Sequence, residues 1–206
     1  MSEKGNQAVK TVSFMMLITL FGKILGMVRE QLLAANYGTD MQAAAFLLAS
    51  RIPRTFFDVI FASAISASFI PVFVEYLQKK GRQEAFSLAN RFITMISTVT
   101  LLMMLLGMAF AKPLTLLIAP GYDVETVTLC VGLLRMLFPT MLFTAVAFSF
   151  VGILQSLEEF NVPAALSVVS NGVLILYYIF FNEKFGILGL TAAFLIGWAM
   201  QAVIQI

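Results

Sequence analysis

Six apolar runs follow one another along these 206 residues, each long enough, at roughly 20 residues or more, for a helix to cross a hydrocarbon core about 30 Å thick. Inside lipid every backbone N–H and C=O must be paired, and the runs lack the dyad alternation of barrel strands. The sequence therefore predicts an all-α fold, a polytopic membrane bundle of six transmembrane helices. Their bounds are about 10 to 35, 42 to 77, 84 to 117, 124 to 156, 163 to 181 and 186 to 206. Turn residues separate them: Asn36 to Asp40, Gln78 to Arg82, Ala119 to Asp123, Glu158 to Asn161 and Asn182 to Lys184. Connections this short make neighbouring helices antiparallel.

Composition removes several function classes. Hydrophobic residues make up 60% and charged residues 12%, with a mean hydropathy of +0.94, whereas a soluble domain carries about 25% charged residues. A net charge of +2, with Lys and Arg scattered along the chain, argues against nucleic acid as a partner. There is no histidine and only one cysteine, so no disulfide framework, zinc cluster or Cys/His nucleophile pair is predicted. Cys130 reads as a small packing residue. No Gly-rich phosphate loop, nucleophile elbow or metal-ligand spacing occurs, and neither an enzyme nor a cofactor is expected.

Lys4 and Lys10 precede the apolar run from Thr11 to Phe21, but Lys23 and Arg29 follow it instead of a small-residue cleavage site, so a retained first span is predicted. The tail and the second loop carry Lys4, Lys10, Lys79, Lys80 and Arg82, against Lys112 and Lys184 on the other side, which predicts a cytoplasmic N-terminus. Tyr37, Tyr76, Tyr122 and Tyr178 fall near span ends, as interfacial anchors do. The second run is longer than a single crossing requires, since about 36 residues extend about 54 Å at helical rise. Pro53 offers a bend and Pro71 a further one.

Lys23, Arg29, Glu30, Arg51, Arg54 and Asp58 lie inside the first two runs. A charge at the centre of a membrane helix costs roughly 2.5 to 3.5 kcal/mol on insertion scales, so such groups must face each other, water or a charged ligand. Arg51, Arg54 and Asp58 are spaced by three and four residues and share a stripe with Ala62, Ile65 and Ser66. One reading is an Arg54 to Asp58 pair that merely lowers insertion cost, with Arg51 snorkelling; the other is a polar cavity near the bilayer midplane. On the first span, seven-residue spacing puts Lys23 and Glu30 on one face. Gly22 and Gly26 form a G-x-x-x-G spacing that admits a close helix, with Ala62, Ser63, Ser66 and Ala67 as a candidate matching surface. Arg135 is open between a functional role and a pairing one, Asn171 reads as an interhelical hydrogen bonder, and Arg91 and Lys112 read as snorkelling.

Particular residues carry a family likeness. The run Phe21 to Glu30, then Ala34 to Gly38, Arg51-Ile52-Pro53, and Ser66 to Pro71 ending at Glu75-Tyr76 resembles the N-terminal signature of the MurJ (MviN) family. Ala119-Pro120-Gly121-Tyr122, Phe138-Pro139, Gly152 to Gln155 and Phe160 to Ala164 with Asn171 continue it. The resemblance implies a lipid II flippase of the MOP exporter superfamily, of which this chain is the N-terminal lobe, in a bacterial cytoplasmic membrane. The sixth run ends at Ile206 with no exit loop, which fits that expectation. The implied partners are a lipid-linked glycan diphosphate, membrane lipids and a C-terminal lobe of the same protein. Arg29 matches a cavity arginine of the family, Lys23 stands where another arginine is usual, and Glu30 replaces an aspartate. Asp58 stands where the family has an arginine, and Ala44 where it has an acid.

The resulting expectation is a transporter whose Lys23, Arg29, Arg51 and Arg54 attract a diphosphate, by point charges and guanidinium forks suited to phosphate oxygens. Glu30 and Asp58 would balance charge or couple to an ion, and Gly22 and Gly26 would serve helix packing. The alternatives are an ion-coupled drug or metabolite exporter of the same superfamily and a non-transporting scaffold for cell-wall synthesis.

Overall fold

The computed structural model describes residues 3–205. The side chains of residues 3–11 and of Ala62 lie outside the described residues, and with them Lys4 and Lys10 of the predicted tail and one member of the predicted small-residue surface; so does Ile206. Among the described residues the chain is helical and contains no strand. In chain order the helices are α1 (Glu3–Tyr37), α2 (Met41–Phe57), α3 (Ile70–Lys79), α4 (Arg82–Ala109), α5 (Ala111–Ile118), α6 (Val124–Leu137), α7 (Thr140–Ser156), α8 (Asn161–Phe180) and α9 (Asn182–Val203). Two π-helical stretches, Asp58–Ala62 and Ile65–Phe69, join α2 to α3.

These elements make six segments long and apolar enough to span a membrane: Val12–Tyr37, Met41–Lys79, Arg82–Ala109, Val124–Ser156, Asn161–Phe180 and Asn182–Val203. The helix α1 ends where Gly38 turns left-handed (φ 56°) and returns its N–H to the Ala34 carbonyl at 2.8 Å. At the start of α6 the Asp123 carboxylate accepts from the backbone N–H groups of Glu125 and Thr126, at 3.1 and 3.2 Å, and from the Thr126 hydroxyl. The Thr126 bonds, with the hydroxyl foremost, hold this carboxyl below the usual aspartate range.

Four of the six spans are less regular than their hydropathy suggests. The second span stays α-helical through the buried Pro53 and loosens further on, across the two π-helical stretches. Pro71 sits in the first turn of α3, where a missing N–H leaves no gap. In the second of the two stretches and just before it the outward side chains, Ser63, Ala64, Ser66, Ala67 and Ser68, are small, which leaves room for a wider turn. The third span stops at Ala109 and resumes as α5, because Pro113 cannot donate to the Ala109 carbonyl. The fourth breaks at Phe138-Pro139 for the same reason. In the sixth, Gly186 (φ 53°, ψ −146°) interrupts the helical dihedrals, and the Tyr177 hydroxyl donates to its carbonyl at 2.6 Å.

The bundle packs α1 on α8, α8 on α9, α2 on α6, and α4 on α7, with α7 also against α9. One apolar cluster gathers Leu33, Phe46, Ile52, Leu133, Leu134, Leu137, Met141, Leu174 and Leu190. A second, around Phe57, Phe61, Phe69, Phe73, Ala85 and Ile96, ties the loosened part of the second span to α4 and α7, with Phe69 stacked on Phe92 at a centroid distance of 4.2 Å. Cys130 is wholly buried in the first cluster, beside Thr115. Outward faces carry Met16, Leu17, Leu102, Leu106, Leu117 and Ile179, as a lipid-facing surface requires.

Candidate functional site

The contact that fixes α1 is made by its glycines. A Cβ added at Gly22 would stand 2.2 Å from the Ser167 hydroxyl oxygen of α8 and 3.3 Å from its Cβ, so glycine favours this approach, while a Cβ added at Gly26 would lie at ordinary contact distance, 3.5 Å, from the Asn171 amide nitrogen. The partner of this face is therefore α8, and the candidate matching surface on the second span, Ser63, Ser66 and Ala67, stays exposed. Asn171 is buried, donates to the Gly22 carbonyl at 3.1 Å and accepts from Arg29 Nη1 at 3.1 Å. One amide thus joins α8 to the α1 backbone and orients a membrane-embedded guanidinium.

Arg29 also donates from Nη2 to Glu30 Oε1 at 3.2 Å; the arginine side chain is 31% exposed and the glutamate 73%. Both line a cavity of about 50 Å³ whose wall includes Leu33, Phe46, Ser50, Tyr178 and Phe194. Seven-residue spacing puts Lys23 and Glu30 on one face; the ion pair to Glu30 comes from its sequence neighbour Arg29. Lys23 faces a separate, open groove of about 440 Å³ formed with Val12, Met15, Met16, Thr19 and Leu20. Tyr178, placed by sequence at an interface, is buried at the cavity wall instead. Tyr37 is buried too, and donates to Asn182 Oδ1 at 2.5 Å while the Asn182 amide donates to Asn36 Oδ1 at 2.9 Å, a second clamp between α1 and the α8–α9 turn.

On the second span Arg54 Nε donates to both carboxylate oxygens of Asp58, at 2.9 and 2.8 Å. Its guanidinium carbon lies 5.2 Å from the ring centroids of Phe148 on α7 and of Trp198 on α9, within cation–π range of both. Spacing alone announces the ion pair. The rings come from residues about 90 and 140 positions away, and no local signal marks them. Arg51, one turn earlier, is exposed and holds no ion pair or side-chain hydrogen bond among the described residues. The same is true of Lys23. The cations therefore divide into two that protein groups already engage, Arg29 and Arg54, and two that are open.

Their heights follow from the antiparallel register. Arg29 and Ser50 meet at the cavity; Lys23 lies about 9 Å from that level and Arg54 about 6 Å, both toward the N-terminal end of α1. The aromatic pair Phe194–Trp198, 6.5 Å apart, links the cavity to Arg54. Arg135 stands apart, its Nε donating to the Met108 carbonyl at 3.2 Å, one of the carbonyls that the end of α4 leaves without a helical partner.

Six long apolar helical spans define a polytopic helical membrane protein. Comparison with known proteins narrows the class. The family model of the lipid II flippase MurJ matches residues 33–206, and the chain belongs to that family. It is 30% identical over 194 residues to the probable lipid II flippase MurJ of Buchnera aphidicola subsp. Acyrthosiphon pisum, covering 92% of this chain and 38% of the relative. It is 31% identical over 186 residues to that of Rhizobium tropici, covering 88% and 34%. A solved structure described as lipid II flippase MurJ in an inward closed conformation superposes with a TM-score of 0.78 at 27% identity, over 92% of this chain and 40% of that one. The chain thus spans under half the length of these relatives.

Proposed function

We propose that the protein moves an undecaprenyl-diphosphate-linked peptidoglycan precursor, lipid II, across a bacterial cytoplasmic membrane by alternating access. It acts as a transporter and not as an enzyme, with its N-terminus in the cytoplasm. The 206 residues form one lobe, which rocks against a second lobe about a site near the bilayer midplane. Lys23, Arg29, Arg51 and Arg54 attract the diphosphate, Glu30 and Asp58 balance their charge, and Gly22 and Gly26 hold α1 on α8.

One observation carries this reading: Arg29, inside an apolar span, is held by Asn171 and Glu30 at the wall of a cavity and not turned away to an interface. A guanidinium so placed is a functional group by default, since the bilayer penalises it unless a ligand or partner offsets the desolvation. The relatives' description as lipid II flippases supplies the substrate class. The open pair, Lys23 and Arg51, offers donors with no competing protein acceptor among the described residues. Complementation of flippase-depleted bacteria by the full-length protein tests the reading. Arg29→Ala is expected to abolish rescue and Arg135→Ala to keep most of it; rescue by Arg29→Ala at the wild-type level would contradict the assignment.

A further inference from the structure

The Arg54 guanidinium is the most fully engaged cation of the lobe, yet it is far from sealed. Its Nε is taken by both oxygens of Asp58, its carbon lies within 5.2 Å of the Phe148 and Trp198 rings, and its Nη groups hold no hydrogen bond among the described residues. The two side chains are 40% and 44% exposed, so a head group can reach them. In a membrane the abundant competitor for such a site is the phospholipid itself, whose phosphodiester carries a single negative charge.

We infer that Asp58 is a specificity-determining residue, an internal counter-ion that keeps singly charged phospholipid head groups off Arg54 and yields it only to a head group with two or more charges. The inference rests on the diphosphate reading above. Replacing the Asp58 carboxylate by a phosphodiester exchanges one negative charge for another and gains no Coulomb attraction. It also sacrifices the high effective concentration of a carboxylate four residues away on the same helix. A diphosphate diester brings two charges, so it can displace the carboxylate from Arg54 and reach Arg51, one turn earlier on the same stripe. The Phe148 and Trp198 rings, each 5.2 Å from the guanidinium carbon, keep it in place during the exchange, because a cation–π contact does not depend on the carboxylate.

Binding to the full-length protein in detergent, with undecaprenyl diphosphate and phosphatidylglycerol as the two probes, tests this. Wild type is expected to prefer the diphosphate, and Asp58→Asn, which keeps the side-chain shape, to lower that preference about tenfold by tightening phosphatidylglycerol binding. The double variant Arg54→Gln/Asp58→Asn is expected to lose the phosphatidylglycerol gain. A preference unchanged in Asp58→Asn, or a gain that persists in the double variant, overturns the inference while leaving the transport reading intact. No binding of undecaprenyl diphosphate by wild type or either variant overturns the transport reading and this inference together.

Discussion

Asn171 is where structure and function meet in one side chain. Its amide group donates to the Gly22 carbonyl and its oxygen receives Arg29, so it serves helix association and guanidinium orientation at once. Interhelical hydrogen bonds in membrane proteins contribute about 0.6 kcal/mol on average, and up to about 1.7 kcal/mol. Asn171→Ala is therefore expected to weaken α1–α8 association by about 1 kcal/mol, read as a lower midpoint in denaturant titration, and to lower transport more than this loss explains, because Arg29 is released. Asn171→Asp should keep the acceptor and hold Arg29 while losing the Gly22 bond. The interhelical role of Asn171 is legible from a lone amide in an apolar run. Its hold on Arg29 is not, because the two lie 142 positions apart and the register of α1 on α8 is set by a glycine contact. Arg54 teaches the same lesson: the pair with Asp58 is written in the i, i+4 spacing, whereas Phe148 and Trp198 arrive through packing of α7 and α9.

Among the elements, the prolines and glycines decide where the spans depart from straight helices. Pro113 and Pro139 each interrupt a span in the structure, whereas hydropathy runs across both without a dip and the predicted spans 84 to 117 and 124 to 156 continue through them. Pro53 misleads, since the second span loosens at 58–69, a stretch whose small outward side chains tolerate a π turn but announce nothing by themselves. Gly107 carries a sharper constraint: an added Cβ would lie 2.1 to 2.6 Å from three atoms of the Phe138 ring, itself almost wholly buried at the break between α6 and α7. Gly107→Ala is expected to destabilise the protein by about 1 to 3 kcal/mol, the usual range for overpacking, seen as a lower melting temperature in detergent, and Phe138→Leu in the same background should recover part of it. At the N-terminus of α6 the Asp123 carboxyl is held low by the Thr126 hydroxyl and backbone N–H. A depressed carboxyl stabilises above its unfolded value and loses that contribution as pH falls through the folded one, so the Asp123→Ala and wild-type melting curves should converge only in acid below about pH 4.

For the whole molecule, the six spans and their order are readable because lipid forces helices and each needs a fixed length. Which helix packs on which is not readable. Hydropathy does not say which helix a given face meets, and the pairing of α1 with α8, distant in sequence, depends on a close glycine approach and on the Asn171 hydrogen bonds. Orientation carries a prediction of its own: with Cys130 replaced by Ser, a cysteine at Gly81 should react with an impermeant thiol reagent only from the cytoplasmic side, and one at Gly121 only from the outer side. The reverse pattern would invert the topology.

The central claim is that the cations within the membrane spans carry a lipid-linked diphosphate across the bilayer. Its most direct measurement is the transbilayer movement of a fluorescent lipid II analogue in proteoliposomes holding the full-length protein. Wild type is predicted to move the analogue well above empty vesicles, with Arg29→Ala near the empty-vesicle rate and Arg135→Ala near wild type. Equal movement by wild type and Arg29→Ala, or none by wild type in either direction of the membrane gradient, would contradict it.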